Sequence, residues 1–287
     1  MEMKSNSLKY INSDSITVVT VTCGRRELLS RAARSVYVQD YPGCVEHLII
    51  ADDCLQKIEG IEKEFPPSDR RSIHVKGVMR PENELGEQAL HRQSAYPRLA
   101  RLLNKGVLLA SSKWLAFLDD DNEFDADHLS RLYTFAADRH CQAVHSARAI
   151  LNADGSPYLA PFFPGASTPE EGARIYRIMC DRGVWVEGTN ILKDRADRHQ
   201  TSFTNSTVIS NVDPVFLVDQ NLWLISRELL MRYPIPENFS DIEITSNTCP
   251  DDKMLQNLIL NNVEIKSNNH PSVRYYLGGI SNGVPRL

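Results

Sequence analysis

The sequence predicts an α/β fold: a mainly parallel, Rossmann-like sheet flanked by helices, with a less regular C-terminal region. Three observations carry this. Short β-branched or wholly apolar runs at residues 16–22, 47–51 and 114–118 read as strands buried on both faces, as in a parallel sheet covered by helices. Between the first two, residues 27–38 place Leu28, Leu29, Ala32, Ala33 and Val36 at helical spacing, which makes a βαβ unit with parallel strands. Two of the apolar runs end abruptly in carboxylates: Asp52-Asp53 after the second, and Asp119-Asp120-Asp121 after the run that starts at Trp114.

The elements follow in order. Cys23-Gly24-Arg25 turns the chain out of the first strand, and Tyr41-Pro42-Gly43 turns it toward the second. Residues 58–65 read as a short helix closed by Pro66-Pro67, and 72–79 as a third strand. Residues 81–88 are polar and read as a loop. Residues 96–110 form an amphipathic helix with Leu99, Leu102, Leu103, Val107 and Leu108 on one side. After the acidic triplet, 125–138 is a helix with Leu129, Leu132, Tyr133 and Ala136 inward. Residues 143–151 and 157–158 flank Asp154-Gly155, a hairpin turn signal. Beyond Tyr158 the pattern blurs. Residues 170–180 read as helix, 194–210 as a polar loop able to close over a ligand, and 215–226 as strand. A short helix follows at 227–233, then a helix at 251–260 and a final strand at 263–267.

Composition narrows the function. The chain has 287 residues and a formal net charge of −5, which argues against a general nucleic-acid binder. Its six cysteines are scattered, with no CxxC pair and no zinc spacing, so reduced thiols in a cytoplasmic protein are expected. No apolar run approaches the ~20 residues that span a bilayer. Residues 1–14 are polar and lack a signal-peptide core. Membrane contact is expected to be peripheral at most.

The triplet carries the chemistry. Three adjacent carboxylates at the end of a buried strand are costly unless a cation sits among them. Hard oxygen ligands of this kind suit Mg²⁺ or Mn²⁺, and those ions suit phosphate. In open α/β sheets, ligands bind at the carboxyl ends of strands. A second acidic pair, Asp251-Asp252, opens a helix after Pro250, where the helix dipole stabilises carboxylates and where they can also serve simply as caps.

Together, strand 16–22, Asp52-Asp53, the triplet and Asp251-Asp252 resemble the pattern of family 2 glycosyltransferases with the GT-A fold. The resemblance is carried by residues up to about 143 and again by 215–260. It implies a single domain, with residues 14–145 as the nucleotide-sugar half and 146–287 as the acceptor half. It implies transfer of a sugar, with inversion, from a nucleotide-diphosphate donor to an acceptor hydroxyl. A UDP-sugar is the first expectation, with GDP- and dTDP-sugars open. Thr22 and Asp53, with Asp52 beside it, would hold base and ribose. Asp119 and Asp121 match the family's Asp-x-Asp motif: Asp120 would face the ribose, and Asp121, with Asp119, would hold the Mn²⁺ or Mg²⁺. Asp251-Asp252 matches the family's Glu-Asp pair, with Asp252 as the base. By the same resemblance His270 is a candidate metal ligand.

The sequence also departs from the family. Cys23-Gly24-Arg25 stands where Tyr-Asn is usual, and Leu103-Asn104-Lys105-Gly106 lacks the usual Arg. Arg98 and Arg101, or Arg92, could serve the diphosphate instead. Trp185, Trp223 and Tyr275-Tyr276 could stack on sugar rings, although aromatic residues are more often core. Two alternatives stay open. A sugar nucleotidyltransferase would need a Gly-rich triphosphate loop after the first strand, of which Gly24-Arg25 is a weak echo. A non-catalytic nucleotide-sugar-binding module would have no use for the acidic pairs.

Overall fold

The computed structural model describes residues 15–66, 68–81, 92–166, 168–196, 217–245 and 248–278, with Arg92 and Gln93 as backbone only. All but residue 81 of the expected loop over 81–88, and most of that over 194–210, lie outside these residues, as does the side chain of Arg92.

The βαβ unit forms as its pattern requires. β1 (Ile16–Thr22) and β2 (Val45–Asp52) are parallel, with Thr22 beside Ala51, and α1 (Arg26–Tyr37) crosses between them. The expected helix over 58–65 is instead two 3₁₀ turns, Leu55–Ile58 and Ile61–Glu64. Gly60, at φ +75°, interrupts them in a conformation that glycine adopts without strain. β3 (Arg71–Val78) adds parallel to β2. α2 (Arg92–Leu109) leads into β4 (Trp114–Phe117), which pairs parallel with β1. Gly106 lets α2 lie close on β1: a Cβ there would meet Val19 Cγ1 at 2.4 Å. Leu108, expected inward, is exposed.

β5 (Glu123–Phe124), α3 (His128–Arg139) and β6 (Ala143–Leu151) follow. The expected hairpin shrinks to one bridge, Leu151 to Pro157, around a turn with Gly155 at φ +87°. Then come α4 (Pro169–Asp181) and β7 (Ile191–Leu192). Of the expected strand over 215–226, the described part gives a bridge at Leu217, a 3₁₀ turn at Gln220–Leu222 and β8 (Trp223–Ser226). Polar Asp219-Gln220-Asn221 breaks the run because Asp219 Oδ1 accepts both the backbone amide and the side-chain amide of Asn221, which turns the chain before β8. α5 (Arg227–Arg232), α6 (Asp241–Thr245) and α7 (Pro250–Leu260) precede β9 (Ile265–Tyr276). The last strand is far longer than the expected 263–267 because it pairs parallel with β6 along its length, past a bulge.

Among the described residues the sheet runs β3-β2-β1-β4-β8-β6-β9-β5, with β7 on β6. The first four are mutually parallel, and β8 turns antiparallel to both β4 and β6. One core joins the two halves: Val18, Leu115, Ala116, Leu224, Val144, Leu255 and Leu258 pack together, all buried. The inward residues expected for the 251–260 helix, Met254, Leu255, Leu258 and Ile259, are all buried. No described helix is long and apolar enough to cross a membrane.

Candidate functional site

The sheet topology collects the acidic residues at one rim. β1, β2 and β4 end there. β8 enters it antiparallel to β4, with Leu224 opposite Ala116, so the turn before β8 lies beside the triplet. β6 runs antiparallel to β8, with His145 opposite Trp223, which carries Arg148 to the same rim. β9, parallel to β6, ends there with Tyr275 and Tyr276; the Tyr276 amide donates to Asn122 Oδ1 at 3.0 Å.

Within the triplet the three carboxylates have different surroundings. Asp120 is buried; it accepts the Thr22 hydroxyl at 2.5 Å and a fork from Arg25. Asp121 is partly exposed and pairs with Arg25 Nη1 at 2.9 Å, while Arg31 holds its carbonyl at 2.6 Å. Asp119 is gripped from the β8 side: Asn221 Nδ2 donates to Oδ2 at 2.8 Å, Gln220 Nε2 donates to Oδ1, and the Asp119 amide donates to Asn221 Oδ1 at 2.6 Å. The cation that three adjacent acids require is therefore Arg25, at the turn after β1. Burial, and then the neighbouring carboxylates, still push the Asp119 carboxyl well up. Burial also raises Asp121 against the pull of Arg25. One arginine does not neutralise the group.

The second strand's acids divide the work. Asp52 is buried between two arginines: Arg98 Nη2 at 2.7 Å and Arg80 Nη2 at 2.7 Å, each also donating through Nε. Asp52 and Arg98 thus serve each other. Arg98 and Asp52, expected beside a diphosphate and a base, are here bonded to each other. Asp53 is exposed, at φ +53°, with its amide donating to Val78 O at 2.9 Å. Thr22 is also spoken for: its hydroxyl binds Asp120 and accepts the Gly24 amide at 3.1 Å. Asp120, expected to face a ribose, is closed in by Thr22 and Arg25. Arg101 is partly exposed, one turn beyond Arg98.

A buried network not found from the sequence backs the triplet. The Arg148 guanidinium pairs with Asp219 and, at 3.2 Å, with Asp194, and lies over the Tyr275 ring at 4.7 Å. The Asp219 amide donates to Asp194 at 2.9 Å, and Asp219 Oδ1 accepts Asn221 Nδ2 at 2.7 Å. Burial lifts Asp194 to about 6. The available signal was three polar residues, Asp219-Gln220-Asn221, inside an otherwise apolar stretch.

The helix-start pair lies against the same network. Asp252 closes a capping box on α7, its Oδ2 accepting the Cys249 amide and thiol, each at 2.9 Å. Burial, then the charges of Asp252 and Asp219, push Asp251 up to about 8. Burial foremost, with a contribution from Asp219, raises Asp252. Asp219 therefore stands electrostatically between Asp119 on one side and Asp251-Asp252 on the other. Cys249, Asp251 and Asp252 are the described groups of three potential ligands close enough to share an ion.

The sequence model described as glycosyl transferase family 2 matches residues 17–182, more than half of the chain. The chain belongs to glycosyl transferase family 2. Its GT-A fold is shared by S. aureus TarS in complex with UDP-GlcNAc, at TM-score 0.52 and 14% identity over 91% of this chain and 58% of that one. It is shared too by the mannosyltransferase PcManGT from Pyrobaculum calidifontis in complex with GDP-Man and Mn²⁺, at TM-score 0.51 and 14% identity over 91% and 56%. The Bacillus subtilis (strain 168) protein named teichuronic acid biosynthesis glycosyltransferase TuaG is 27% identical over 143 residues, half of each chain. The chain spans about half the length of that relative and under three fifths of the two structures.

The family implies a divalent cation, and the donor set fits one in part. Asp121 offers a hard carboxylate oxygen at the partly exposed edge of a group with surplus negative charge. Asp119 has both oxygens engaged by amides and supports this edge from behind. His270 does not join them. Its imidazole lies 4.0 Å from Asp127, in the bulge of β9 six residues short of Tyr276, on the order of 20 Å along a strand. Trp185 and Trp223 are buried in the core and are not sugar platforms. Tyr275 and Tyr276 are partly exposed, each with an arginine over its ring, Arg148 at 4.7 Å and Arg31 at 3.9 Å.

Proposed function

We propose that this family 2 member is an inverting glycosyltransferase that moves a sugar from a nucleoside-diphosphate sugar, UDP-sugar first, to an acceptor hydroxyl. The observation that carries the reading is Asp219: Asn221 joins it to Asp119 of the triplet, and its charge is felt at the Asp251-Asp252 pair. That supports a phosphate-facing edge and a proton-accepting group serving one site. Complexes of fold neighbours with UDP-GlcNAc and with GDP-Man and Mn²⁺ support the donor class.

The roles follow from what each group has free. Asp53, exposed at the end of β2, faces the nucleoside. Asp121 holds the diphosphate edge, with Mg²⁺ or Mn²⁺ as the ion; bound there, a divalent cation offsets charge on the departing diphosphate. Asp252 accepts the acceptor hydroxyl's proton as that oxygen attacks the anomeric carbon. The bond to the diphosphate breaks on the opposite face, and its electron pair leaves with the phosphate oxygen. Burial raises both members of the pair, Asp251 to about 8, and Asp252 is the one whose Oδ2 takes the Cys249 amide and thiol, bonds that favour its charged form. The acceptor, a glycan or small molecule, is bound by the half spanning residues 146–287.

Calorimetry with UDP and Mn²⁺ tests the reading together with a transfer assay across nucleotide sugars. Asp121→Ala is expected to lose metal-dependent donor binding. Asp252→Asn is expected to keep it and lose transfer. Loss of UDP binding in Asp252→Asn alone would contradict the assignment.

A further inference from the structure

The triplet already contains a cation of its own. Arg25 Nη1 lies 2.9 Å from Asp121 Oδ2, on a carboxylate that is partly exposed. Its Nη2 and Nε hold Asp120, which is buried and locked by Thr22. The guanidinium is about a quarter exposed (28%), so it can leave Asp121 without opening the core. It sits on the turn after β1, with Gly24 at φ +96° and no side-chain cap fixing it at the start of α1.

From this geometry we infer that Arg25 is a resident counter-cation that guards Asp121, and that a divalent cation takes this carboxylate only when a nucleoside diphosphate arrives to receive the displaced guanidinium. The inference rests on the proposed metal–diphosphate reading. The two cations compete for one carboxylate. Asp119 is engaged by amides and Asp120 by Thr22 and Arg25, so a divalent ion entering at Asp121 must take the oxygen that Arg25 already holds. A diphosphate offers the guanidinium another anionic partner, so both cations stay. Arginine suits this exchange because its planar fork binds carboxylate and phosphate alike, so the same donors can pass from Asp121 to a phosphate oxygen. Metal and nucleotide binding are then coupled, and the coupling is reciprocal.

The test is Mn²⁺ titration of the full chain by calorimetry, with and without UDP, in the wild type and in Arg25→Gln. Wild type is expected to bind Mn²⁺ weakly alone and well with UDP. Arg25→Gln is expected to bind Mn²⁺ without UDP about tenfold or more tightly than wild type, within the ~5–150-fold range of such couplings. The gain from adding UDP should shrink in the variant. Equal or weaker nucleotide-free Mn²⁺ binding in Arg25→Gln overturns the guard while leaving the metal reading standing. No Mn²⁺ binding to wild type even with UDP overturns both. A second measurement needs no variant to fold: the Arg25 Nε–H resonance of wild-type protein is expected to shift on adding Mg²⁺ with UDP and to stay unmoved with Mg²⁺ alone. A resonance that moves with Mg²⁺ alone, or with neither addition, overturns the inference.

Discussion

Asn221 holds Asp119 at both ends, taking its backbone amide at 2.6 Å and donating to its carboxylate at 2.8 Å. Residues 102 positions apart thus fix the strand end from which the triplet projects. The clamp exists because β8 runs antiparallel to β4 and brings its preceding turn alongside.

Asn221→Ala leaves the Asp119 amide without its partner and its half-buried carboxylate to Gln220, a cost of about 1–3 kcal/mol at the site. Donor affinity measured by calorimetry should fall on the order of tenfold, while circular dichroism stays that of the folded chain. Asn221→Asp should do worse, because it places a like charge against Asp119. An unchanged UDP affinity in both variants would show that the clamp does not serve donor binding.

The two helix-start aspartates should separate in kinetics and in stability. Asp252→Asn is expected to lower transfer by about 10²–10⁴, the usual contribution of a general base, with Asp251→Asn much milder. Stability should move the other way at Asp251. Its folded-state carboxyl titrates near 8, above its value in the unfolded chain, so the folded form binds the extra proton. Stability from this group is therefore greatest at low pH and falls as pH rises from about 4 to 8. Asp251→Asn should raise the melting temperature at pH 8 and change it little at pH 4.

The first half of the fold was legible because it obeys simple periodicities. Apolar runs such as 16–22 have one meaning in a covered parallel sheet, and the helix at 27–38 shows its buried face in Leu29, Ala32, Ala33 and Val36. The triplet was visible as a charge anomaly, and the need for a cation followed from it. That Arg25 answers the need was not visible, since an arginine in a turn has no periodicity to declare its target. Asp219 and Asn221 were hidden for a related reason: they act through pairing between distant segments, and antiparallel β8 leaves no local mark in a run that reads Val-Phe-Leu-Val-Asp-Gln-Asn-Leu-Trp. His270 failed because a bulge in β9 turns it to Asp127, and bulges are set by the partner strand.

Arg98 and Asp52 should matter to stability first. Both are buried, and their Nη2–Oδ1 contact is 2.7 Å. Arg98→Met leaves Asp52 with Arg80 alone, on its more exposed side. The expected loss is about 3 kcal/mol in urea unfolding, the usual cost of removing one partner from a buried pair. Asp52→Asn should cost as much, because it strands two arginines. If Arg98→Met instead unfolds like wild type and loses UDP binding, Arg98 faces the diphosphate after all.

His47 and His128 should make the chain sensitive to acid. Both are fully buried, and burial lowers each imidazole to about 3. His47 Nε2 meets the Thr20 hydroxyl at 2.9 Å, and His128 Nδ1 meets Ser272 at 2.8 Å, stacked on Phe124. Their other ring nitrogens, Nδ1 of His47 and Nε2 of His128, have no partner among the described residues, so the neutral ring is the form that fits. In the unfolded chain the same groups protonate near 6.5. Below that pH the unfolded state binds a proton the folded state refuses, and stability falls by about 1.4 kcal/mol per pH unit for each histidine down to its folded value. The raised acids Asp194 and Asp251 pull oppositely between pH 5 and 7, so total stability is a poor readout. The slope is a clean one. Urea unfolding of wild type and His128→Asn at pH 7, 6 and 5 should show the variant losing about 1.4 kcal/mol less per unit below pH 6.5, whatever its stability at pH 7. Parallel slopes would mean that His128 is protonated in the folded chain.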